Sequence, residues 1–429
     1  MNNMPAKTQD VVHLSLQLGR MLMISGTDTA QVKWGVERFA AGLGFETHLL
    51  VSYEALLLTV ISGGEFRTKV GSQVAGMTVD MTAVQALNQI IDDAAGGRLN
   101  IDEARARILA VEQIRPSYPR WLVAGALGLT AASLSWLFGG DGAVFVVSFI
   151  AGTIEILLQQ QLRRWRLHPL AVTFLTALTG GSIGGSGMRL HPGIAPALCL
   201  IAPGMILVPG VPLINGICDA IFNNIGLSLA RLASSLLVVA AIAFGLFAAM
   251  RLTRLDIPVS GSNPLIPVSQ DVLFSALATI GYVFLFNVTP RIAWACVVCG
   301  VCSHSLRTAL MHLGLDIVSG TVIGAMAAGF LAFLFSRRCG APTATFAFPG
   351  VVAMVPGSYA FKAVVASLQI MHLGSASPAS LVAQSMSLII ATILLTAAIA
   401  VGLGIPLSLR LRSAITSESP AHRDEAPSE

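Results

Sequence analysis

The chain is 429 residues long, and apolar residues make up 54% of it while charged residues make up 11%, a balance far from that of a soluble domain. Twelve of its 22 acidic residues lie within residues 1–120 and only six lie between Trp121 and Arg410, which predicts a soluble domain followed by a membrane domain. The net charge of +4 comes mainly from arginines near predicted span ends, and the chain has four lysines, so a nucleic-acid partner is not expected.

Residues 1–118 are predicted to form a small cytoplasmic α+β domain. The amphipathic segment after the polar N-terminus is interrupted by His13 and Arg20, so it is neither a signal peptide nor a membrane span. Apolar periodicity and turn residues predict two helices, a small antiparallel sheet and two more helices. The predicted ranges are a helix to Ser25 with Gly26 as terminator, a helix from Thr27 to Gly44, strands at 45–51, 55–61 and 65–70 with a Gly63-Gly64 turn, a helix from Thr78 or Asp80 to Gly96, and a helix from an Asn100/Glu103 capping box to before Pro116.

The sequence assigns no chemistry to this domain. The chain contains no Gly-Lys-Ser or Gly-Lys-Thr phosphate-binding motif, so ATP-driven transport within it is not expected. Asp28 and Glu37 are interpreted as solvated helix charges, because a charged helix face usually faces water. A regulatory, gating or assembly role is expected for the domain.

Ten segments of the remaining chain are apolar and approach the roughly 20 residues that a bilayer span needs. Arginines follow the second, eighth and tenth segments and precede the seventh, which predicts that both termini are cytoplasmic. Five spans form a first membrane unit at 119–255, a linker covers 256–270, five spans form a second unit at 271–410, and a disordered cytoplasmic tail covers 411–429. The predicted spans are 121–139, 142–162, 168–187, 195–217, 226–250, 271–288, 291–309, 316–336, 342–369 and 379–409.

A double Pro-Gly motif occurs in the fourth span of each unit. The first copy covers Pro203–Gly210 and the second covers Pro349–Gly357. Proline removes a backbone donor and clashes with the preceding turn, so each copy is expected to break its helix. Within a bilayer a broken helix is tolerated only where it is buried in protein or lines a wet cavity. Interrupted helices at matching places in two halves indicate the binding site of a secondary transporter.

The position of the motif also predicts how the two units are related. A unit with an odd number of spans is inverted when it is duplicated, so two antiparallel five-helix repeats with alternating access are expected. Exposed helix N-termini at the breaks would bind a carboxylate, and freed carbonyls would bind an ammonium. Pro209, Gly210, Pro356 and Gly357 would frame this substrate site. The alternative is two unrelated proline kinks.

Ionisable residues beside the first break are candidate substrate ligands, because charges inside spans are costly. Asp219 follows the break and Arg231 stands at the start of the next span. The two side chains could form a structural salt bridge. They could also divide an amino acid between them, with the acid holding its ammonium and the arginine its carboxylate. Asn215 would add hydrogen-bonding groups nearby.

Three further residues are candidates. Glu155 lies in the middle of the second span and is either a proton carrier for coupled transport or a neutral carboxyl bonded to a neighbouring helix. Tyr359 and Lys362 follow the second break, and Lys362 holds the position of Asn215 in the first copy. Lys362 could close the site against Asn215 from the opposite repeat, or extend to the lipid headgroups.

Two other motifs are interpreted as packing features. Cys296, Cys299 and Cys302 form a stripe with His304 beside it, but no fourth ligand with metal-site spacing follows. The glycine-rich run at 180–187 has the spacing of close helix contacts rather than that of a phosphate cradle. No metal, cofactor or catalytic centre is expected, and the chain is not expected to be an enzyme.

Three segments resemble the bacterial threonine/serine exporter family. They are LGRMLMISGTDTAQVKWGVER, PGVPLINGICDAIFNN with LARL after it, and FAFPGVVAMVPGSYAFKA. The resemblance covers most of the chain and implies a ten-span inner-membrane protein that exports small hydroxy amino acids, coupled to the proton gradient. The family's motif acid and arginine match Asp219 and Arg231, and its paired Pro-Gly elements match Pro203–Gly210 and Pro349–Gly357. The family pattern often has Gly where this chain has Asn223-Asn224.

The resemblance leaves the substrate open. Relatives that are split into two proteins are associated with dicarboxylate export, so a dicarboxylate exporter for succinate-like substrates is an alternative. A membrane sensor or scaffold that acts through the N-terminal domain is an alternative from a different class. The expected partners are a small-molecule substrate, the lipid bilayer and, in a homo-oligomer, further copies of the chain.

Overall fold

The computed structural model describes residues 6–417, apart from 54, 63–64, 72–77, 115, 191–194 and 256–263. The predicted Gly63-Gly64 turn, most of the predicted linker and the tail residues 418–429 lie outside the described residues. The described chain is mostly helical, with one small antiparallel sheet near its start. This confirms the predicted class of a helical protein preceded by a small α+β unit.

The N-terminal domain packs four helices with a three-stranded sheet. The strands run antiparallel in the order β1-β2-β3, with Leu49 opposite Leu58 and Thr59 opposite Thr68. Leu18, Phe39 and Leu87 are fully buried between the helices and the sheet. The elements are α1 (Ala6–Ile24), α2 (Thr29–Gly42), β1 (Glu46–Val51), β2 (Leu56–Ser62), β3 (Glu65–Val70), α3 (Met81–Ala95) and α4 (Ile101–Glu112).

The helix ends follow the predicted turn chemistry, with one correction. Gly26 follows α1 at φ +92°, and Asn100 and Glu103 form the predicted capping box of α4. Helix α2 is capped by Asp28, whose carboxylate accepts from the backbone N–H of Gln31, rather than by Thr27. Glu37 accepts from the backbone N–H of Leu49. Asp28 and Glu37 are partly exposed at the surface of α2, and each also accepts a hydrogen bond from a backbone N–H.

Among the described residues, twelve α-helices follow the N-terminal domain. Six of them are long and apolar enough to cross a membrane, and the number rises to eight if each of two bent helix pairs is one span. Helices α5 and α7 coincide with the first and third predicted spans but do not belong to those eight. The helices are α5 (Arg120–Leu137), α6 (Gly142–Arg164), α7 (Pro169–Leu190), α8 (Ala197–Met205), α9 (Gly210–Ile221), α10 (Ile225–Thr253), α11 (Val268–Leu285), α12 (Ala293–His312), α13 (Ile317–Cys339), α14 (Thr343–Val352), α15 (Gly357–Leu373) and α16 (Ala379–Ser417).

The last helix differs from the predicted boundary. Helix α16 continues to Ser417, whereas the sequence predicts that a disordered tail starts at residue 411. The segment from Leu409 to Ser413 carries alternating arginines and small or apolar residues without proline or glycine, and arginine, leucine and alanine all favour helix continuation. The remainder of the predicted tail lies outside the described residues.

The helices of the two membrane units pack in matching pairs. In the first unit α5 packs against α6 and α7 packs against α10, and in the second unit α11 packs against α12 and α13 packs against α16. The short helices follow the same pattern, since α8 contacts α6 and α7 while α14 contacts α12 and α13. Helices α5 and α11 contact each other and join the two units.

Two glycines make the same close contact in both units. A β-carbon on Gly245 of α10 would lie 2.5 Å from the carbonyl oxygen of Phe174 on α7. A β-carbon on Gly402 of α16 would lie 2.6 Å from the carbonyl oxygen of Val322 on α13. Only glycine fits at such distances, because any side chain would push the two backbones apart.

The N-terminal domain is anchored to one end of the helical bundle. The backbone N–H of Met81 donates to the carbonyl of Phe286, and Asn287 donates to the carboxylate of Asp80 and accepts from the backbone N–H of Ser117. Leu227, at the start of α10, is part of the hydrophobic core of the N-terminal domain. We call this end of the bundle, with the α9–α10 and α11–α12 connections, the domain side, and the opposite end the far side.

Candidate functional site

Both Pro-Gly motifs break their helices, as predicted. Helices α8 and α9 are bent by 60°, and α14 and the α15 segment are bent by 49°. Each break lies at the second Pro-Gly pair, while Pro203 and Pro349 remain inside the preceding short helices. Helix α9 runs from its break to the domain side. Because α13 ends on the domain side and α14 follows it, α15 runs from its break to the far side.

The two breaks have the same local geometry. Pro209 has φ −77° and ψ 67°, and Pro356 has φ −77° and ψ 50°. In both, the glycine after the proline donates its N–H over 2.8 Å to the carbonyl of the residue before the proline, Val208 or Val355. These values describe an inverse γ-turn. A duplicated turn of this kind is difficult to explain by two unrelated proline kinks.

The breaks are buried against each other. A β-carbon on Gly210 would lie 3.3 Å from the side chain of Val355, and one on Gly357 would lie 3.0 Å from the side chain of Val208. A narrow cleft lies beside them and is lined by apolar residues of α8, α10 and α15 together with the break residues Val208 and Gly357. The broken backbone is therefore enclosed by protein, as a membrane requires.

Asp219 and Arg231 form a closed ion pair on the domain side. Nη1 of Arg231 donates to Oδ2 of Asp219 over 2.7 Å, and both side chains are 3% exposed. The second guanidinium nitrogen, Nη2, is buried without a hydrogen-bond partner among the described residues. The structure thus brings together the two predicted side chains and leaves one donor of Arg231 for another acceptor.

Asn215 contacts the N-terminal domain rather than the second repeat. Its side-chain amide donates to the carbonyl of Gly26 over 3.1 Å, in a buried position. Lys362 and Tyr359 are half-buried on α15, the half-helix that runs to the far side. The predicted closure of Lys362 against Asn215 is not formed in this structure, because matching positions after the two breaks are carried toward opposite ends of the bundle.

In the turn between α9 and α10, Asn223-Asn224 stand where the family pattern often has glycine. Asn223 has φ +62°, a left-handed conformation that glycine takes most readily and that asparagine tolerates. The neighbouring Asn224 accepts from Nζ of Lys33 over 3.1 Å. The second asparagine therefore adds a contact to the N-terminal domain.

Glu155 is fully buried in the middle of α6. Both carboxyl oxygens lack a hydrogen-bond partner among the described residues, and the carboxyl packs against Gly180 of α7. A buried ionised carboxylate without partners is very costly, so this conformation is compatible with a protonated Glu155. The alternative of a neutral glutamic acid bonded to a neighbouring helix is not formed here.

Ser358 is a site residue that the sequence reasoning missed. It lies in the first turn of α15, directly after Gly357, and is 1% exposed. Its hydroxyl has no hydrogen-bond partner among the described residues. A serine next to a Pro-Gly break is a signal that could have been used, because a helix N-terminus commonly binds anions together with hydroxyl donors.

A buried polar network on the far side was also missed. Asp271, near the start of α11, accepts from Nδ1 of His304 over 2.8 Å, and from Ser305 and Thr308. Nε2 of His304 lies 2.7 Å from Nη2 of Arg307. The sequence signal is the polar grouping 304, 305, 307 and 308 at the end of an apolar helix, but only the packing of α11 against α12 supplies its acidic partner.

The cysteine and glycine motifs pack helices. Sγ of Cys296 contacts the carbonyl of Thr345, and Cys299 lies against Gly350, so the stripe lies on α14. Gly184 in the glycine-rich run approaches the backbone of Cys199 on α8. Across the described ranges no group of three or more His, Cys, Asp and Glu residues is arranged to hold a metal ion.

Comparison with known families gives two matches that together cover both membrane units. The family model described as "Putative threonine/serine exporter" matches residues 13–253. A second model, described as "Threonine/Serine exporter, ThrE", matches residues 271–409. The first match joins the N-terminal domain to the first unit, and the second match contains the second Pro-Gly break.

Individual relatives are named for two different substrates. "Probable succinate transporter subunit YjjP" of Klebsiella aerogenes is 31% identical over 245 residues, which is 56% of this chain and 93% of that protein. The protein of the same name from Escherichia coli K12 is 31% identical over 244 residues, again 56% and 93%. "Probable threonine/serine exporter" of Mycobacterium tuberculosis is 25% identical over 385 residues, 84% of this chain and 70% of that protein. No solved structure matches the chain.

Proposed function

This chain belongs to the threonine/serine exporter family, whose members are transporters rather than enzymes, and we propose that it is a secondary exporter of threonine and serine. The observation that carries the proposal is the pair of broken helices, which have the same turn and are buried against each other. Broken helices that meet inside a membrane bundle frame the substrate site of many secondary transporters. The protein would lie in the bacterial inner membrane with both termini in the cytoplasm.

The proposed mechanism is alternating access between two inverted five-helix repeats. It is supported by the matching helix pairs of the two units and by the equivalent contacts of Gly245 and Gly402. Ten spans would result if α5 and α7 cross the membrane together with the eight spans that length and composition support. The repeats would rock against each other around the breaks, exposing the site first to the domain side and then to the far side.

The substrate would bind where the half-helices begin. The N-termini of α9 and α15, at Gly210 and Gly357, carry partial positive charge and suit a carboxylate. The unpaired hydroxyl of Ser358 lies in one of these first turns and can donate to the same carboxylate. Carbonyl groups released by the prolines would accept from the substrate ammonium, and Tyr359 would contribute from the next position of α15.

Asp219 and Arg231 would act as a partner pair that the substrate divides on the domain side. In the closed structure they neutralise each other at 2.7 Å. An amino acid offers an ammonium to Asp219 and a carboxylate to Arg231, so it can replace each partner without leaving a buried charge unpaired. The unpaired Nη2 of Arg231 gives the incoming carboxylate a donor before the ion pair opens.

Glu155 would carry the coupled proton. It stands three residues after Gly152 on α6, as Ser303 stands three residues after Gly300 on α12, and the proposed repeat makes the two positions equivalent. The hydroxyl of Ser303 donates to the carbonyl of Gly350 at the second Pro-Gly motif over 2.6 Å. A protonated Glu155 could make the corresponding bond at the first motif, and loss of the proton would abolish it.

A dicarboxylate exporter is the second candidate. The two relatives at 31% identity are named as probable succinate transporter subunits. A dicarboxylate has no ammonium, so it would depend on Arg231 and Lys362 rather than on Asp219. The two candidates therefore predict opposite sensitivities to neutralisation of Asp219 and Lys362.

Counterflow in proteoliposomes with labelled threonine, serine and succinate tests the proposal. We expect the wild-type protein to exchange threonine and serine. Asp219→Asn should lose this exchange while the protein is present at normal levels, and Lys362→Met should retain it. Asp93→Asn, which changes a partly exposed carboxylate of the N-terminal domain that pairs with Arg98 and Arg107, is the matched control for transport. Succinate exchange that survives Asp219→Asn but not Lys362→Met would replace threonine export by dicarboxylate export.

A further inference from the structure

We infer that Asp271, His304 and Arg307 form a proton-operated latch, which holds the far side closed while His304 is neutral and releases it when a proton binds to Nε2. The inference rests on the proposed function, since a latch needs a transport path to close. It concerns a buried network that lies apart from the Asp219–Arg231 pair, at the opposite end of the bundle.

The hydrogen bonds determine which nitrogen of His304 carries the proton. Arginine has donors only, so Nε2, at 2.7 Å from Nη2 of Arg307, must be the acceptor. The other ring nitrogen, Nδ1, then carries hydrogen and donates to Asp271 at 2.8 Å. The neutral imidazole thus bridges a carboxylate and a guanidinium, and the network is 1–4% exposed at Asp271 and His304.

Protonation breaks one of these two bonds. A proton from water on the far side adds to the lone pair of Nε2, and the Nη2–H of Arg307 loses its acceptor. The imidazolium keeps its bond to Asp271, and two positive side chains now face each other across the former hydrogen bond. The step adds one proton to the network and consumes nothing else. Arg307 must move away from His304, because like charges at this distance repel strongly in a poorly solvated site.

Arg307 packs against α13 and lies near α15. Its aliphatic stem lies along α13, where a β-carbon on Gly320 would be 3.3 Å from its Cγ and one on Gly324 would be 3.5 Å from its Cβ. Its guanidinium is near enough to Tyr359, in the first turn of α15 after the second break, for the two side chains to influence each other electrostatically. A shift of Arg307 therefore acts on α13 and on the far-side half-helix together.

No other titratable group is positioned to give this response within the part of the chain that the structure describes. Asp271 is the acid that faces His304 from α11, and α14 has no titratable residue. The ionisable residues of α13 lie at its two ends. Asp316 caps the N-terminus of the helix, and Arg337, Arg338 and Cys339 lie at the domain-side end. On α12 itself, Cys299 and Cys302 precede the network, and His312 bonds to the carbonyl of Ile266.

Thiol labelling tests the latch without requiring transport. Cys299 lies on α12 to the domain side of His304 and is fully buried against Gly350 of α14, so in a variant with the other five cysteines replaced by serine a reagent added at the far side reaches it only when the network opens. Maleimide reacts with the thiolate, whose fraction falls with pH, so each labelling rate by a membrane-impermeant maleimide is divided by the rate for the same thiol in the denatured protein at the same pH. We expect this ratio to rise about tenfold from pH 8 to pH 5, as for the loss of one charge-assisted hydrogen bond across histidine's titration range. His304→Gln, which keeps one donor and one acceptor, should abolish the rise.

His312→Gln is the matched control, since it removes a histidine from the same helix end but not from the network. It should keep the wild-type pH response of Cys299 labelling. A response that persists in His304→Gln, or that disappears in His312→Gln alone, overturns the latch. A pH response that depends on His304 in a protein that exchanges neither threonine nor serine would retain the latch and reject the proposed substrate.

Discussion

Replacing either Asp219 or Arg231 of the buried ion pair should lower the free energy of unfolding. Replacing both residues should restore most of it. Asp219→Asn leaves a guanidinium buried and unpaired, and Arg231→Gln leaves a carboxylate in the same condition. Such a loss costs about 3–5 kcal/mol, because the remaining charge keeps its desolvation penalty without its partner. The double variant places two neutral amides, which can bond each other, at the 2.7 Å contact.

The expected shift in melting temperature follows from the size of the chain. An unfolding entropy of about 2.1 cal/mol/K per residue over 429 residues is about 0.9 kcal/mol/K, so each single variant should lose roughly 3–6 °C. The double variant should recover most of this loss, as coupled neighbours do in a mutant cycle. Unfolding in detergent can be followed with a thiol-reactive dye, since Cys199, Cys296 and Cys299 are fully buried.

Counterflow measurements distinguish the two possible roles of the Asp219–Arg231 pair, which are stabilising the fold and binding the substrate. If the pair only stabilises the fold, the double variant regains counterflow together with stability. If the substrate divides the pair, as we propose, the double variant is stable but does not exchange threonine. Asp93→Asn, at a partly exposed carboxylate of the N-terminal domain, should leave counterflow unchanged. Single variants with the melting temperature of the wild type would refute the reasoning, because the ion pair would then contribute nothing to the stability of the closed structure.

Three other changes have defined outcomes. Glu155→Gln should weaken the dependence of export on the pH gradient but preserve gradient-free counterflow, and an unchanged gradient dependence excludes Glu155 as the proton carrier. Ser358→Ala should raise the half-saturating threonine concentration about tenfold, since a hydrogen bond to a charged group contributes about 1.5–3 kcal/mol; counterflow kinetics equal to wild type remove Ser358 from the site. Asn215→Ala should loosen the N-terminal domain, measured as faster amide exchange at Gly26 and its neighbours, because the Gly26 carbonyl loses its buried donor; unaltered exchange would show that other contacts hold the domain.

Local chemistry made much of the fold predictable. The prolines determine where the two spanning segments break, and the Asn100/Glu103 pair determines where α4 begins, because in both cases the cause lies within a few residues of the effect. The three strands and the order of helices follow from periodicity in the same way. The capping of α2 by Asp28 rather than Thr27 shows the usual uncertainty of one residue at a helix end.

The site was less predictable because its contacts are not local. Asp271 and His304 are far apart in sequence, and their meeting depends on the rotation and register of two packed helices. His304 was considered only beside the cysteine stripe, which faces α14 instead. Asn215 has its partner in a different domain, at Gly26, and no pattern around either residue indicates that pairing. By contrast, Asp219 and Arg231 lie within two turns of the short connection between α9 and α10, whereas Asp271 and His304 lie far from the connection between their helices, so the sequence could place only the first pair together.

Pro209 and Pro356 interrupt the helices and also restrict the backbone torsions at the two breaks. A pyrrolidine ring fixes φ, which is −77° at both Pro209 and Pro356, so ψ is the one soft torsion left at each of these residues. At its own position each proline therefore leaves rotation about ψ as the only soft backbone motion. If the half-helices move as the proposed function requires, the two prolines limit that motion in the same way at both breaks.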